Sequence, residues 1–242
     1  MNYLDSPVTS SYVGSELDLF SSALNWKAYW SSIIRPYLGV RILDVGAGIG
    51  ATAKTFAKLE CDCYLALEPD ESLVDRMRKD LVVGYFPSTF ETLVGTSQIL
   101  GSDLRFDTIL YIDVLEHIAE DREELARAAS HLLPGGRIVV LSPAHQWLFS
   151  AFDLAIGHVR RYDKATLLLA KPADMFTERL FYLDSVGMLA SLGNRVLLRS
   201  ASPSIGQILL WDRWMVSVSR RLDRIAGFRV GKSIVAVFRK PG

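Results

Sequence analysis

The chain has 242 residues, enough for one large α/β domain with an ample core. Its 27 Lys plus Arg equal its 27 Asp plus Glu, so no global positive field recruits nucleic acid, although a local basic patch stays open. Mean hydropathy is +0.20, yet no run of about 18 apolar residues offers a membrane span.

Residues 1–15, rich in Ser, Gly, Asp and Pro, read as an arm or lid. The polar, acidic start lacks the cationic and apolar segments of a signal peptide, so a cytoplasmic location is expected. A helix is expected over 17–35, with Leu19, Phe20, Leu24, Tyr29 and Ile33 loosely at helical spacing. Strands then read at about 40–45, 63–68, 81–85, 107–112 and 137–142, separated by helix-length segments. That alternation argues a parallel doubly wound sheet. Cys61 and Cys63, the only cysteines, make a C-x-C pair that builds no disulfide framework. With no second pair and no His nearby, no metal site is expected there.

Residues 40–50, VRILDVGAGIG, carry the strongest functional signal. Val40, Ile42, Leu43 and Val45 suit a buried strand, and Gly46, Gly48 and Gly50 let the backbone turn sharply against a ligand. Residues 51–58 read as the following helix, whose free N–H groups point back at the turn. A nucleotide-like cofactor is expected there. Gly46, Gly48, Ala51 and Glu68 also satisfy a dinucleotide fingerprint, which keeps an oxidoreductase as one alternative. Against it, Asp44 repels a diphosphate and suits a cationic amine. Glu68 ends a second strand, where an acid can accept both ribose hydroxyls. Residues 106–118 form a further strand ending in DVLEH, and LLPGG leads into the strand at 137.

Taken in this order, these segments resemble the class I S-adenosylmethionine-dependent methyltransferases over roughly residues 20–165. The resemblance implies a Rossmann-like seven-stranded sheet whose sixth and seventh strands, near 178–184 and 232–239, pair antiparallel. It implies one domain: an N-terminal arm and helix (1–35), a cofactor-binding core (36–175), and a C-terminal strand pair (176–242) holding a helical insertion at about 186–230. The implied cofactor is S-adenosyl-L-methionine. Asp44 and the backbone at Gly46 and Gly48 would hold its methionine end, with Trp26 covering the carboxylate side. Glu68 would take the ribose, and Pro69 would lie beside the adenine. Thr89 and Phe90 would meet the adenine edge, Thr89 standing where the family commonly has Asp. Asp113 and Val114 would end the fourth strand against the cofactor.

Acceptor chemistry is less determined. A hydroxyl acceptor needs a base, and His is the usual group near neutral pH. His131 reads as a structural helix-end residue, and His117 as a shaper of the cofactor loop. His145 and His158 are the catalytic candidates, in the pattern P-A-H-x-x-L-x-S-x-x-D…G-H-x-R-R-Y. This pattern resembles a branch associated with bacterial glycan, lipid and natural-product pathways, so a small or lipid-like acceptor and O-methylation are expected. C- or N-methylation and a catalytically silent cofactor-binding scaffold are the alternatives. No Asn/Asp-Pro-Pro-Tyr/Phe segment marks a DNA amino-methylating enzyme.

Near the C-terminus, Ser204 and Gln207 form a capping box that starts a helix, and Gly227 ends it. Ile208, Trp211, Met215, Val218, Leu222 and Ile225 read as one apolar stripe, with Arg213, Arg220, Arg221 and Arg224 opposite. Such a stripe suits packing on the chain's own sheet, a homodimer seam, an acceptor wall or a membrane-surface face.

Overall fold

The computed structural model describes residues 16–81, 90–193 and 204–242; the expected arm at 1–15 and Thr89 lie outside the described residues. Seven strands form one sheet: β1 (Arg41–Val45), β2 (Cys63–Glu68), β3 (Phe90–Val94), β4 (Phe106–Ile112), β5 (Leu132–Pro143), β6 (Phe176–Leu183) and β7 (Ser233–Arg239). Their order is β3-β2-β1-β4-β5-β7-β6. β1 to β5 pair in parallel, whereas β7 runs antiparallel to both β5 and β6. The doubly wound sheet with an antiparallel sixth and seventh strand is therefore as expected.

Helices cover both faces, which is why β1, β2, β4 and β7 read as nearly continuous apolar runs. Alternate residues of one strand enter opposite cores. Leu43, Val45, Ile109 and Tyr111 join one cluster, while Ile42, Ala66, Leu110 and Val139 join the other. α2 (Leu24–Ile34), α3 (Ala51–Thr55) and the C-terminal helix lie on the second face; α5 (Asp121–Ser130) and α7 (Lys164–Ala170) lie on the first. Among the described residues no helix is long and apolar enough to cross a membrane.

Several boundaries differ from the sequence reading. The strand expected at 81–85 falls on residues outside the described ones, apart from Leu81, which ends α4 (Glu71–Leu81); the strand beside β2 is β3, which begins at Phe90. As a half-buried edge strand, FETLV lacks the apolar run that marks its neighbours. The helix expected over 17–35 breaks at Ser22 and Ala23 into α1 (Glu16–Ser21) and α2. The helix after the glycine turn closes by Thr55 instead of residue 58. β5 starts five residues earlier than the expected 137, and the register breaks opposite Phe106 and Thr108, so the LPGG turn is absorbed into the strand as an irregularity.

The insertion is built from α8 (Ser185–Gly193) and one long helix, α9 (Ile205–Leu210) continuing through a π turn at Trp211–Met215 into α10 (Val216–Ile225). The Ser204–Gln207 capping box forms as expected. The π turn widens the spiral and rotates the faces. Ile208, Trp211, Asp212, Val216, Ser219 and Asp223 point inward, while Val218, Leu222 and Ile225 face solvent. The expected single apolar stripe is thus split at the π turn, and polar groups take the buried positions of its second half.

Three buried carboxylates fasten this insertion. Asp212 accepts from the Asn25 and Trp26 backbone N–H groups at 3.1 and 2.8 Å, capping α2 from another part of the chain. Asp223 accepts from the Tyr29 hydroxyl at 2.8 Å and from the backbone N–H groups of Asp184 and Ser185 at 2.7 and 3.0 Å. Asp184 accepts from the Trp211 indole at 2.7 Å and the Ser219 hydroxyl at 2.6 Å. Lys232 completes the group, 3.4 Å from Asp184 and 3.7 Å above the Trp211 ring.

An Asp223→Ala substitution leaves three buried donors unpaired, each costing about 1–3 kcal/mol. Urea unfolding is expected to show a loss of at least about 3 kcal/mol, against about 0.5 kcal/mol or less for the exposed Arg224→Ala. A loss below about 1 kcal/mol for Asp223→Ala contradicts its anchoring role.

Candidate functional site

The carboxyl ends of β1 to β6 and the start of β7 share one edge of the sheet, since Ser233 pairs with both Pro143 and Leu183. Among the described residues, the four non-glycine positions with positive φ gather there. Asp113 (54°), His145 (67°) and Asp184 (66°) follow β4, β5 and β6, and Phe228 (57°) precedes β7. Such conformations persist only where surrounding structure enforces them, and they concentrate at ligand sites.

At the β1–β2 end of this edge, the glycine turn is held by two neighbours. At Gly46 (φ 66°) a Cβ would stand 2.6 Å from a Val114 methyl, so the turn closes directly on the end of β4. The Gly48 N–H donates to Glu68 Oε2 at 2.8 Å, and the Asp70 N–H donates to Glu68 Oε1 at 3.0 Å. Glu68 thus ties the turn after β1 to the turn after β2. Burial raises its carboxyl above the ordinary value, against the pull of those two N–H groups. A carboxylate offers about four lone-pair positions, so acceptor capacity remains for a pair of hydroxyls. Pro69 follows, half-buried.

Asp44 is buried, and the Tyr64 hydroxyl donates to it at 2.8 Å. Burial pushes its carboxyl up to about 7; the Tyr64 hydrogen bond opposes this and Glu68 adds to it. Trp26 is also buried, its ring 6.1 Å from Tyr29 and 5.8 Å from Trp211. It therefore joins α2 to the C-terminal helix as part of the wall.

Phe90 is not at this edge. It pairs with Tyr64 at the amino end of β3, and Val94 is the residue beside Glu68. Four strand residues at about 3.3 Å each put Phe90 some 13 Å short of the edge. Phe90 opens β3 itself and does not belong to the turn that follows it. The loop that does arrive beside Glu68 is Gly95–Ser97, whose Gly95 N–H donates to the Glu68 carbonyl at 2.9 Å. Val94-Gly95 repeats the strand-then-glycine pattern of Val45-Gly46, the signal by which it could have been found.

The β4–β5 end of the edge is charged. Solvent reaches Asp113, yet the residue sits deep among other groups. That enclosure raises its carboxyl, while His158, Lys232 and Lys27 pull it back down. Glu116 is fully buried, accepts from the Ser142 hydroxyl at 2.9 Å, and is held well above the ordinary carboxylate range by burial and by Asp113. Its Oε1 has no hydrogen-bond partner and lies 3.8 Å from His158 Nε2.

His158 is buried and pairs through Nδ1 with Asp153 at 2.9 Å. Asp153 also takes Arg161 at 2.8 and 2.9 Å, and these partners hold its carboxyl far below the usual range despite burial. In the same segment Arg160 donates to Asp121 at 2.8 Å and the Tyr162 hydroxyl donates to Asp121 at 2.7 Å. The G-H-x-R-R-Y segment is therefore the fastening between the loops after β4 and β5. His145 stacks on Tyr182, ring centres 4.8 Å apart, and its Nε2 lies 3.0 Å from the Gly231 carbonyl. A carbonyl only accepts, so Nε2 carries the proton and Nδ1 is the free basic atom. His131, at the end of α5, bonds the Leu104 carbonyl through Nδ1 at 3.1 Å.

His117 stands edge-on to His158 at 4.6 Å, and burial lowers it to about 4. Glu116, His117 and His158 each bring one possible ligand atom within 4.8 Å of the others. This donor set suits a divalent metal, and sequence spacing did not reveal it because His158 lies 41 residues after His117.

Residues 43–138 match the profile of a family described as "Methyltransferase domain". A 110-residue stretch is 32% identical to a ubiquinone biosynthesis O-methyltransferase of Caulobacter sp. (strain K31), covering 43% of this chain and 41% of that one. The chain thus spans under half the length of that curated relative. Its fold matches a putative sarcosine dimethylglycine methyltransferase from Galdieria sulphuraria with a TM-score of 0.63 at 17% identity, covering 98% and 94% of the two chains. It also matches the N-methyltransferase NodS from Bradyrhizobium japonicum WM9 in complex with S-adenosyl-l-homocysteine, with a TM-score of 0.60 at 13% identity over 97% and 95%. Strand order and the glycine turn after β1 agree with that match: residues 43–138 resemble a methyltransferase domain, and the chain has the fold of these methyltransferase structures.

Proposed function

We propose that this chain, acting as one domain, transfers a methyl group from S-adenosyl-L-methionine to a hydroxyl oxygen of a small or lipid-like acceptor. The observation that carries the reading is the sheet edge itself. Glu68 braces the glycine turn and keeps acceptor capacity for a ribose, while an Asp153–His158 pair faces the same edge beside Asp113. The O-methylation in the name of the Caulobacter relative supports the hydroxyl acceptor, and the S-adenosyl-l-homocysteine in complex with NodS supports the cofactor.

When bound, the cofactor supplies an electrophilic methyl on a sulfonium sulfur. Asp44 and the backbone at Gly46 and Gly48 hold the methionine end, and Glu68 and Pro69 hold the ribose and adenine. Gly95–Ser97, in place of Phe90, meet the adenine edge. Asp113 and Val114 close the floor, and Trp26 stiffens the wall. Beside a bound cofactor, His158 Nε2 would take the proton of the acceptor hydroxyl, whose oxygen would receive the methyl that the cofactor supplies. Asp153 keeps the ring in the tautomer that leaves Nε2 basic. His145, stacked on Tyr182, positions the acceptor loop. Alignment and water exclusion supply most of the acceleration, with about 7–11 kcal/mol available from proximity.

Glu68→Gln keeps one acceptor oxygen and turns an amide donor toward a backbone N–H. Calorimetry is expected to give at least tenfold weaker binding of S-adenosyl-L-methionine, on the scale of about 1.5–3 kcal/mol per charge-assisted bond. Unchanged affinity removes Glu68 from the cofactor site.

Asp44 gives a pH test with a definite sign. Unfolded, its carboxyl ionises near the ordinary value of about 3.9, whereas folded it keeps its proton until about 7. The unfolded state therefore binds fewer protons between those values, and Asp44 makes stability fall as pH rises through that window. A cationic amine bound beside it expels the proton, so cofactor affinity is expected to rise with pH up to about 7 and then level off. Asp44→Asn should flatten that profile and weaken binding. The same variant should raise cofactor-free stability at neutral pH by about 2–4 kcal/mol. A less stable variant with an unaltered binding profile contradicts the assignment.

His158→Ala is expected to lower turnover about 10²- to 10⁴-fold with cofactor affinity nearly untouched. Asp153→Asn should shift the pH–rate profile as well as its height. Full activity in His158→Ala and in His145→Ala alike means that no base is needed, which favours a neutral amine or carbon acceptor. Assaying the wild type with and without a chelator separates acid–base work by His158 from metal ligation with Glu116 and His117.

A further inference from the structure

We propose that the outer face of the C-terminal helix and α8 docks on an anionic lipid surface. The π turn at Trp211–Met215 turns the polar and aromatic anchors inward and leaves a second apolar row outside. Leu210, Trp214, Val218, Leu222 and Ile225 stand exposed at spacings of four, four, four and three; Trp214 is 62% and Ile225 82% accessible. Leu189 on α8, which packs against α10, is exposed as well. A run of large apolar side chains of this extent is unusual on a free surface.

The charge pattern names the occupant. Arg213, Arg220, Arg221, Arg224 and Arg229 are exposed in and just beyond this helix. Its acids, Asp212 and Asp223, are buried in the anchors described above. Among the described residues none of the five arginines has an ion-pair partner. A chain with no net charge has thus gathered a purely cationic, apolar face in one segment. A two-fold dimer through it would set the same arginines against each other with no acid between them. A layer of anionic headgroups over acyl chains satisfies both features, with Trp214 and Ile225 in the headgroup–acyl boundary and the arginine heads at the phosphates. The helix lies on such a surface and does not span it. This inference is independent of methyl transfer.

The test is co-sedimentation of the cofactor-free protein with vesicles of phosphatidylcholine alone and of phosphatidylcholine mixed equally with phosphatidylglycerol. Wild type is expected to bind the anionic vesicles and to bind the neutral ones far less. Arg221→Gln with Arg224→Gln should weaken binding about 25-fold, since each arginine near such a surface contributes about fivefold. Trp214→Ser with Ile225→Ser should weaken it at least tenfold, with the melting temperature retained because both side chains are exposed. Absence of wild-type binding to anionic vesicles overturns the proposal and leaves an acidic protein as the partner. Equal binding to both lipids, or no change in the arginine variant, overturns it too. So does light scattering in which wild type is a dimer that Trp214→Ser with Ile225→Ser dissociates, which makes the face a subunit seam.

Discussion

A carboxylate taken out of water must find donors or lose its charge, and this molecule is assembled around that requirement. Almost every loop at the carboxyl edge of the sheet is fastened by one. Glu68 joins the turns after β1 and β2. Glu124 joins Tyr111 of β4 to Ser97 after β3, at 2.6 and 2.7 Å. Asp121 joins the segment after β4 to Arg160 after β5, and Asp153 gathers His158 and Arg161 within that later segment. Asp184, Asp212 and Asp223 join the insertion to the edge and to α2. Parallel strands end without a ladder partner for their last groups, so the edge is where such acids gather and also where a ligand can compete for them.

The same requirement divides the site into two environments. Around β1 and β2 the acids are few and engaged by backbone or Tyr64, with Asp44 poised about 7. After β4 and β5, Asp113 lies within the fields of His158, Lys232 and Lys27, and Glu116 within that of Asp113. There the position of one proton depends on several groups together, which suits a step that moves a proton as a bond forms. The positive φ values at Asp113 and His145 aim these two strand ends into that region at a cost of order 1–3 kcal/mol each.

The C-terminal helix serves both regions because a single extra residue in its spiral lets it. Before the π turn Ile208 faces the sheet; after it Val216, Ser219 and Asp223 do, while Val218, Leu222 and Ile225 face out. In an unbroken α-helix Val218 and Leu222 would stand in line with the buried Trp211. Donors from Tyr29, Asp184 and Ser185 waiting for Asp223 select the other register.

By itself the sequence determined what rests on local rules. The strand-glycine-helix grammar of residues 40–55, the acid ending β2, the LPGG turn, the Ser204–Gln207 cap and the alternation of strands and helices all follow from side-chain pattern and backbone sterics within a few residues. β3 escaped because a half-covered edge strand carries little apolar signal, and Phe90 was misplaced with it. Only the tertiary structure decided which buried acid meets which donor: Asp153 with His158, Asp212 with the start of α2, and Glu116 and His117 beside His158. Those partners lie up to 187 residues apart, and whether a charged side chain can be buried depends on groups the chain delivers from elsewhere. No local pattern encodes that.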